Sequence, residues 1–87
     1  MPRWSKLTRT IRDIKDDVTL RTKKDAQDYM LALPKDRETK GQWQIVAGLL
    51  LEGADAERVT RAIESALMYE ARLDVRLSRK QASEDKP

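Results

Sequence analysis

Apolar residues recur at intervals of three and four from one end of this 87-residue chain to the other. At the front, Trp4, Leu7, Ile11, Ile14 and Val18 keep that spacing, which predicts a helix from about Ser5 to Asp17. The next helix has the clearest start. Thr22-Lys-Lys-Asp places a capping hydroxyl three residues ahead of a carboxylate that can reach back, and Ala26, Tyr29, Met30 and Leu33 follow on one face. A helix over Lys23–Leu33 is expected to stop at Pro34, whose ring disfavours helical dihedrals in the residue before it. Lys35–Gly41 then reads as a charged connection, with Asp36 as a cap for a short helical piece inside it.

The stretch from Trp43 to Leu51 is the most apolar of the chain. Trp43, Val46, Ala47, Leu50 and Leu51 make one stripe, and Ile45 and Leu49 widen the arc beyond a single face, so this helix is expected at the buried centre of the fold. Gly53 is placed to end it in the left-handed region, and Asp55 to cap a new helix two residues later. Beyond Ala56, Val59, Ile63, Ala66, Glu70, Leu73 and Leu77 continue the spacing for more than twenty residues as one long helix, frayed near Ser78. Glu70 alone interrupts the stripe. It either meets a basic residue across a helix seam, Arg72 or Arg76 of another chain or Arg12 of the front helix, or the helix rolls and leaves it in solvent; the second reading is preferred, because a straight helix drifts off a 3.5-residue period.

The resulting expectation is an all-α protein, a small three- to four-helix bundle with a long C-terminal helix. Residues 1–21 form a basic amphipathic segment, helix or flexible arm, 22–80 the helical core domain, and 81–87 a disordered tail. One echo bears on the first boundary: Arg9-Thr-Ile-Arg-Asp resembles Arg21-Thr-Lys-Lys-Asp twelve residues later. Both read as helix starts with a Thr cap, in which case the first helix begins at Thr10 and Arg3–Arg9 is the arm.

Composition narrows the chemistry. The chain has no Cys, His or Phe, and 38% of its residues are charged. Those absent side chains supply most nucleophiles, proton shuttles and soft metal ligands, so no enzymatic activity, cofactor or metal is expected. The acidic pairs Asp16-Asp17 and Glu84-Asp85 and the set Glu52, Asp55, Glu57 lack calcium-loop spacing, and the acids near Ala56 have a sufficient role against the helix dipole. Glu64 and Glu70 on the long helix read as solvated charge rather than as an acid and base. Gly41, Gly48 and Gly53 are isolated and form no phosphate loop; Gly48 suits the close approach of another helix. The longest apolar run, Ile45–Leu51, is far short of the roughly 20 residues that span a bilayer, and Met1–Leu20 has no apolar signal-peptide core, so a cytoplasmic location is expected.

Charge is uneven. Residues 1–24 carry eight Lys or Arg against three Asp, and residues 25–87 carry ten against twelve acids. The basic front offers Arg3, Trp4, Lys6, Arg9 and Arg12 for phosphate contact and stacking, and the helix pair around Gly53 has the outline of a helix-turn-helix with Arg58 and Arg61 on its second helix. The turn is too long for that motif, and Glu57 and Glu64 oppose phosphate on the would-be reading helix. Trp4, Leu7, Ile11 and Ile14 opposite Arg3, Lys6, Arg9 and Lys15 would also suit an anionic membrane surface, against which Asp13, Asp16 and Asp17 count.

The leading expectation is therefore a small regulatory or protein-interaction module that acts through apolar helix faces and self-associates, since a chain this short buries little surface alone. Trp43, Leu50, Ile63, Glu70, Leu73 and Leu77 are its candidate contact residues. Nucleic-acid binding is the alternative, and no small-molecule substrate is indicated.

Overall fold

A computed structural model describes residues 5–84. Strand β1 (Lys6–Asp13) and strand β2 (Val18–Thr22) form an antiparallel hairpin, followed by α1 (Lys23–Leu31), the single-turn α2 (Lys35–Glu38), α3 (Gly41–Glu52), α4 (Ala56–Tyr69) and α5 (Val75–Glu84). The all-α helical-bundle expectation is thereby overturned at both ends. A β-hairpin stands where the amphipathic front helix was expected, and the long C-terminal helix is two helices with a break at Glu70–Asp74.

The hairpin shows why period alone misleads. Leu7 and Ile11 are four apart, a spacing that keeps two side chains on one face of a helix and also on one face of a strand. The positions that separate the two readings are Arg9 and Asp13. They lie on the same inward strand face as Leu7 and Ile11, where a simple pattern would put apolar residues. Ile11 pairs with Leu20 and Asp13 with Val18, while Lys6 pairs with Thr22, so β1 advances five residues over a stretch where β2 advances two. That bulge leaves backbone groups without strand partners. Helix side chains take them: Thr8 N donates to Thr60 Oγ1 at 3.0 Å, Thr10 N to Gln81 Oε1 at 2.8 Å, and Gln81 Nε2 donates back to Thr10 O at 2.8 Å. Ile14 N reaches Arg72 O and Asp74 N reaches Arg12 O, so the outer edge of β1 is covered along its length.

The local signals behave as their chemistry requires. Thr22 and Asp25 form a reciprocal capping box, Gly53 takes φ 72°, and the Asp55 carboxylate accepts from Arg58 N. The break after α4 uses no glycine. Ala71 adopts φ 58°, with Arg72 N bonded to Leu67 O and Ala71 N to Met68 O, a Schellman closure built on alanine. Asp74 then caps α5 by accepting from Leu77 N at 3.0 Å.

The core is centred on α4 rather than α3. Val59, Thr60, Ile63, Ala66 and Leu67 of α4 are buried against Leu7, Ile11 and Leu20 of the hairpin, Ala26 and Tyr29 of α1, Trp43 and Val46 of α3, and Leu73. The front segment thus joins the same core as residues 22–80. The expected tail is helical as far as Glu84, and residues 85–87 lie outside the described residues.

Candidate interaction surface

Two polar networks hold the elements in place. In the first, Asp13 is completely buried at the end of β1. Its carboxylate accepts from the Tyr29 hydroxyl, from Lys15 N and Asp16 N in the hairpin loop, and from Arg72 Nη1 at 3.2 Å. Burial raises the Asp13 carboxyl, but the Tyr29 hydroxyl, the two amides and Arg72 together outweigh it and hold the group below its ordinary range. The same burial and the same bond to Asp13 push Tyr29 up to about 12, so its hydroxyl is a fixed donor at neutral pH.

Tyr29 also accepts from Arg37 Nη2 at 2.9 Å. Arg37 forks onto Glu70 through Nε (3.0 Å) and Nη2 (2.7 Å), with both side chains only 12% exposed. The guanidinium lies 5.6 Å from the Tyr29 ring centre and 5.9 Å from that of Trp43, whose Nε1 donates to Glu70. Glu70 is therefore neither solvated nor paired with Arg12. Its partner comes from the single turn α2, and the Arg37 bond holds its carboxyl below the ordinary range against the effect of burial.

The second network binds α5 to β1 and α4. Arg9 forks onto Glu64 at 2.7 and 3.2 Å, and Ser78 Oγ donates to Glu64 Oε2. The first network links α1, α2 and α3 through Tyr29, Arg37 and Trp43, and the second links β1, α4 and α5.

A cleft of about 410 Å³ opens over the first network between Tyr29, Pro34, Arg37, Arg72, Asp16 and Val18. Its two guanidiniums face the three carboxylates of Asp13, Asp16 and Glu70, so negative charge is in excess there and an added anion meets repulsion.

The other opening is different in kind. Helices α1 and α3 lie side by side with the start of α1 tied to the end of α3 by Lys23 Nζ donating to Ala54 O (2.6 Å), while Gln44 Nε2 at the start of α3 donates to Glu38 O of α2 (2.8 Å). Between them lies a groove of about 460 Å³ with Met30, Ala47 and Leu50 along it, Leu31 and Leu51 at its rims, and Lys23, Gln27, Glu38 and Gln44 completing the lining. Leu31 is 77% exposed and Leu51 89%. The apolar excess of Ile45–Leu51 is not a buried centre. Trp43 and Val46 turn inward, whereas Ile45, at 61% exposed, and Leu51 face outward, because among the described residues α1, α2 and α4 pack on α3 and leave this side of it uncovered.

The sequence-derived contact residues divide accordingly. Trp43, Ile63 and Leu73 are inside the monomer core, Glu70 is in its internal ion pair, and Leu77 is half-buried on α5; Leu50 alone of the six lines the groove. The basic candidates are spread out and paired: Arg9 with Glu57 and Glu64, Arg12 with Asp17 and Asp74, Arg58 with Glu52, Arg61 with Glu57. Lys6 is exposed at the start of β1, and Arg3 and Trp4 lie outside the described residues. At each of those four arginines a carboxylate already neutralises part of the charge that a phosphate would meet. The helix pair around Gly53 does form, with Gly53–Asp55 as its corner.

Met30, Leu31 and Lys23 escaped the sequence reading as surface residues. Leu31 carried the signal, as a leucine off the Ala26–Tyr29–Leu33 stripe. Among the described residues, no group of carboxylates is arranged to hold a metal ion, and no helix is long and apolar enough to cross a membrane. Compared with protein-family models, curated proteins and solved structures, the chain matches none.

Proposed function

We propose that this protein is a small non-catalytic interaction module, acting in the cytoplasm, whose working surface is the α1–α3 groove and whose partner is a protein. One observation carries the reading: Leu31 and Leu51 stand largely in solvent on either rim of an apolar groove, on helices that each turn another face into the core. Neighbouring exposed leucines beside a preformed apolar groove are the mark of a surface that is covered in use. The polar networks support it by giving the groove a fixed shape, so a partner meets a site that needs little ordering.

The test is a benzophenone side chain at position 51, irradiated in the purified chain and in cells, with the same probe at Lys24 on the polar side of α1 as control. Adduct at 51 and not at 24, with yield reduced by Leu31→Gln, is the expected result. Equal labelling at the two positions, or none at 51, overturns the reading. Leu51→Gln should itself leave the melting temperature within about 3 °C, because surface substitutions stay within about 0.5 kcal/mol.

A further inference from the structure

The face that carries the groove is complementary to itself. Leu51 projects beside the hollow formed by Met30, Ala47 and Leu50, so the same patch offers both a knob and a hole. The two charged residues of its lining, Lys23 and Glu38, lie at opposite ends and are opposite in sign. Lys23 lies where α1 begins and α3 ends, and Glu38 lies where α3 begins, as the bonds to Ala54 O and from Gln44 Nε2 establish. A two-fold axis across α3 sets the Lys23 end of one protomer against the Glu38 end of the other and lets each Leu51 enter the opposite groove.

At the middle of α3's outward face, between Gln44 and Leu51, is Gly48. It is exposed, its φ is not left-handed, and a Cβ built there meets nothing within 4 Å. Glycine weakens a helix interior, and nothing in the monomer calls for it at this position. It does allow a second helix backbone to pass close by.

We infer that the occupant of the groove is a second copy of this chain, docked isologously through antiparallel α3 helices that cross near Gly48. The inference rests on the reading of the α1–α3 face as a docking surface and adds the identity of the partner. Such a contact is closed by its own symmetry, so association stops at a dimer.

Sedimentation equilibrium of the full chain from about 1 µM to about 1 mM should show the mass rising from 10.1 kDa to twice that value. Gly48→Gln is the decisive variant. It puts a helix-favouring residue into open space, so the monomer should melt no lower than the wild type, while the side chain at the crossing weakens the dimer by about tenfold or more. Lys23→Glu and Glu38→Lys should each impair association, the double variant should recover it, and the two single variants should pair when mixed, since the mixture sets each Glu against a Lys.

A chain that is monomeric throughout overturns the second-copy inference. Position-specific adducts at residue 51 with a different protein would then leave the docking surface standing, whereas absence of adducts removes both. A dimer indifferent to Gly48→Gln and to the charge exchanges also overturns the inference and directs attention to another face, first the edge of β2 that no strand pairs with among the described residues.

Discussion

Removing the Asp13 carboxylate should be among the most damaging single changes in this protein. Asp13→Ala leaves the Tyr29 hydroxyl without an acceptor inside the core and deprives Arg72 of its buried partner, while Lys15 N and Asp16 N, in the exposed loop, turn to water. A buried hydroxyl stripped of its partner costs about 1–3 kcal/mol, and a charge-assisted bond contributes about 1.5–3 kcal/mol. Arg72 keeps Asp16, at 3.2 Å, which offsets part of the loss. The net destabilisation is about 3 kcal/mol, against a total of about 4–13 kcal/mol for a domain of this length. At about 4–8 °C per kcal/mol, the melting temperature should fall by about 12–24 °C, read by far-UV circular dichroism.

Asp13→Asn tests the electrostatic part separately. The folded carboxyl lies below its unfolded value, so the folded state binds its proton more weakly and the ionised form stabilises the fold. That contribution is complete above the unfolded value of about 4 and is lost as pH falls through the lower folded value. The stability gap between wild type and Asp13→Asn should therefore be constant near neutrality and close in acid. A melting temperature for Asp13→Ala within about 3 °C of the wild type, or a gap that does not narrow in acid, would refute this account of the cluster.

Ala71→Gly should raise stability by about 0.5–1 kcal/mol, because alanine at φ 58° carries a left-handed penalty that glycine lacks, partly offset by the freer unfolded chain; urea midpoints measure it. Gln81→Ala removes both bonds to Thr10 and should open α5 locally, seen as faster amide exchange at Thr10 and along Val75–Gln81 while the amides of α4 stay protected. Protection unchanged at Thr10 would show that Gln81 does not anchor α5.

The candidate surface was half legible beforehand. An apolar arc on α3 too wide for one face announces an excess of apolar residues, and Gly48 announces room. Which of those residues reach solvent depends on where α1 and α4 lie, and that is settled by Arg37, Glu70 and Asp13, residues that carry no apolar period. Arg37 in a charged connection and Glu70 as a flaw in a stripe have no sequence mark of belonging together, because the pair closes over 33 positions. The arginines of the basic front were visible as charge. Their carboxylate partners on α4 and ahead of α5 were not.

Helix α1 ends at Leu31, short of the stop expected at Pro34, and what the sequence alone determined are the features complete within a few residues: the Thr22–Asp25 box, the left-handed Gly53 and the Asp55 cap. Each is a bond or a steric limit between near neighbours, so no distant contact is needed to satisfy it. The tertiary structure decided the hairpin and the break at Ala71. A spacing of four residues fits helix and strand alike, and the choice of strand over Lys6–Asp13 rests on backbone groups of Thr8 and Thr10 meeting side chains 52 and 71 residues away. Hydrogen-bonding groups denied water must find partners wherever the chain supplies them, and only the assembled fold brings those partners within reach.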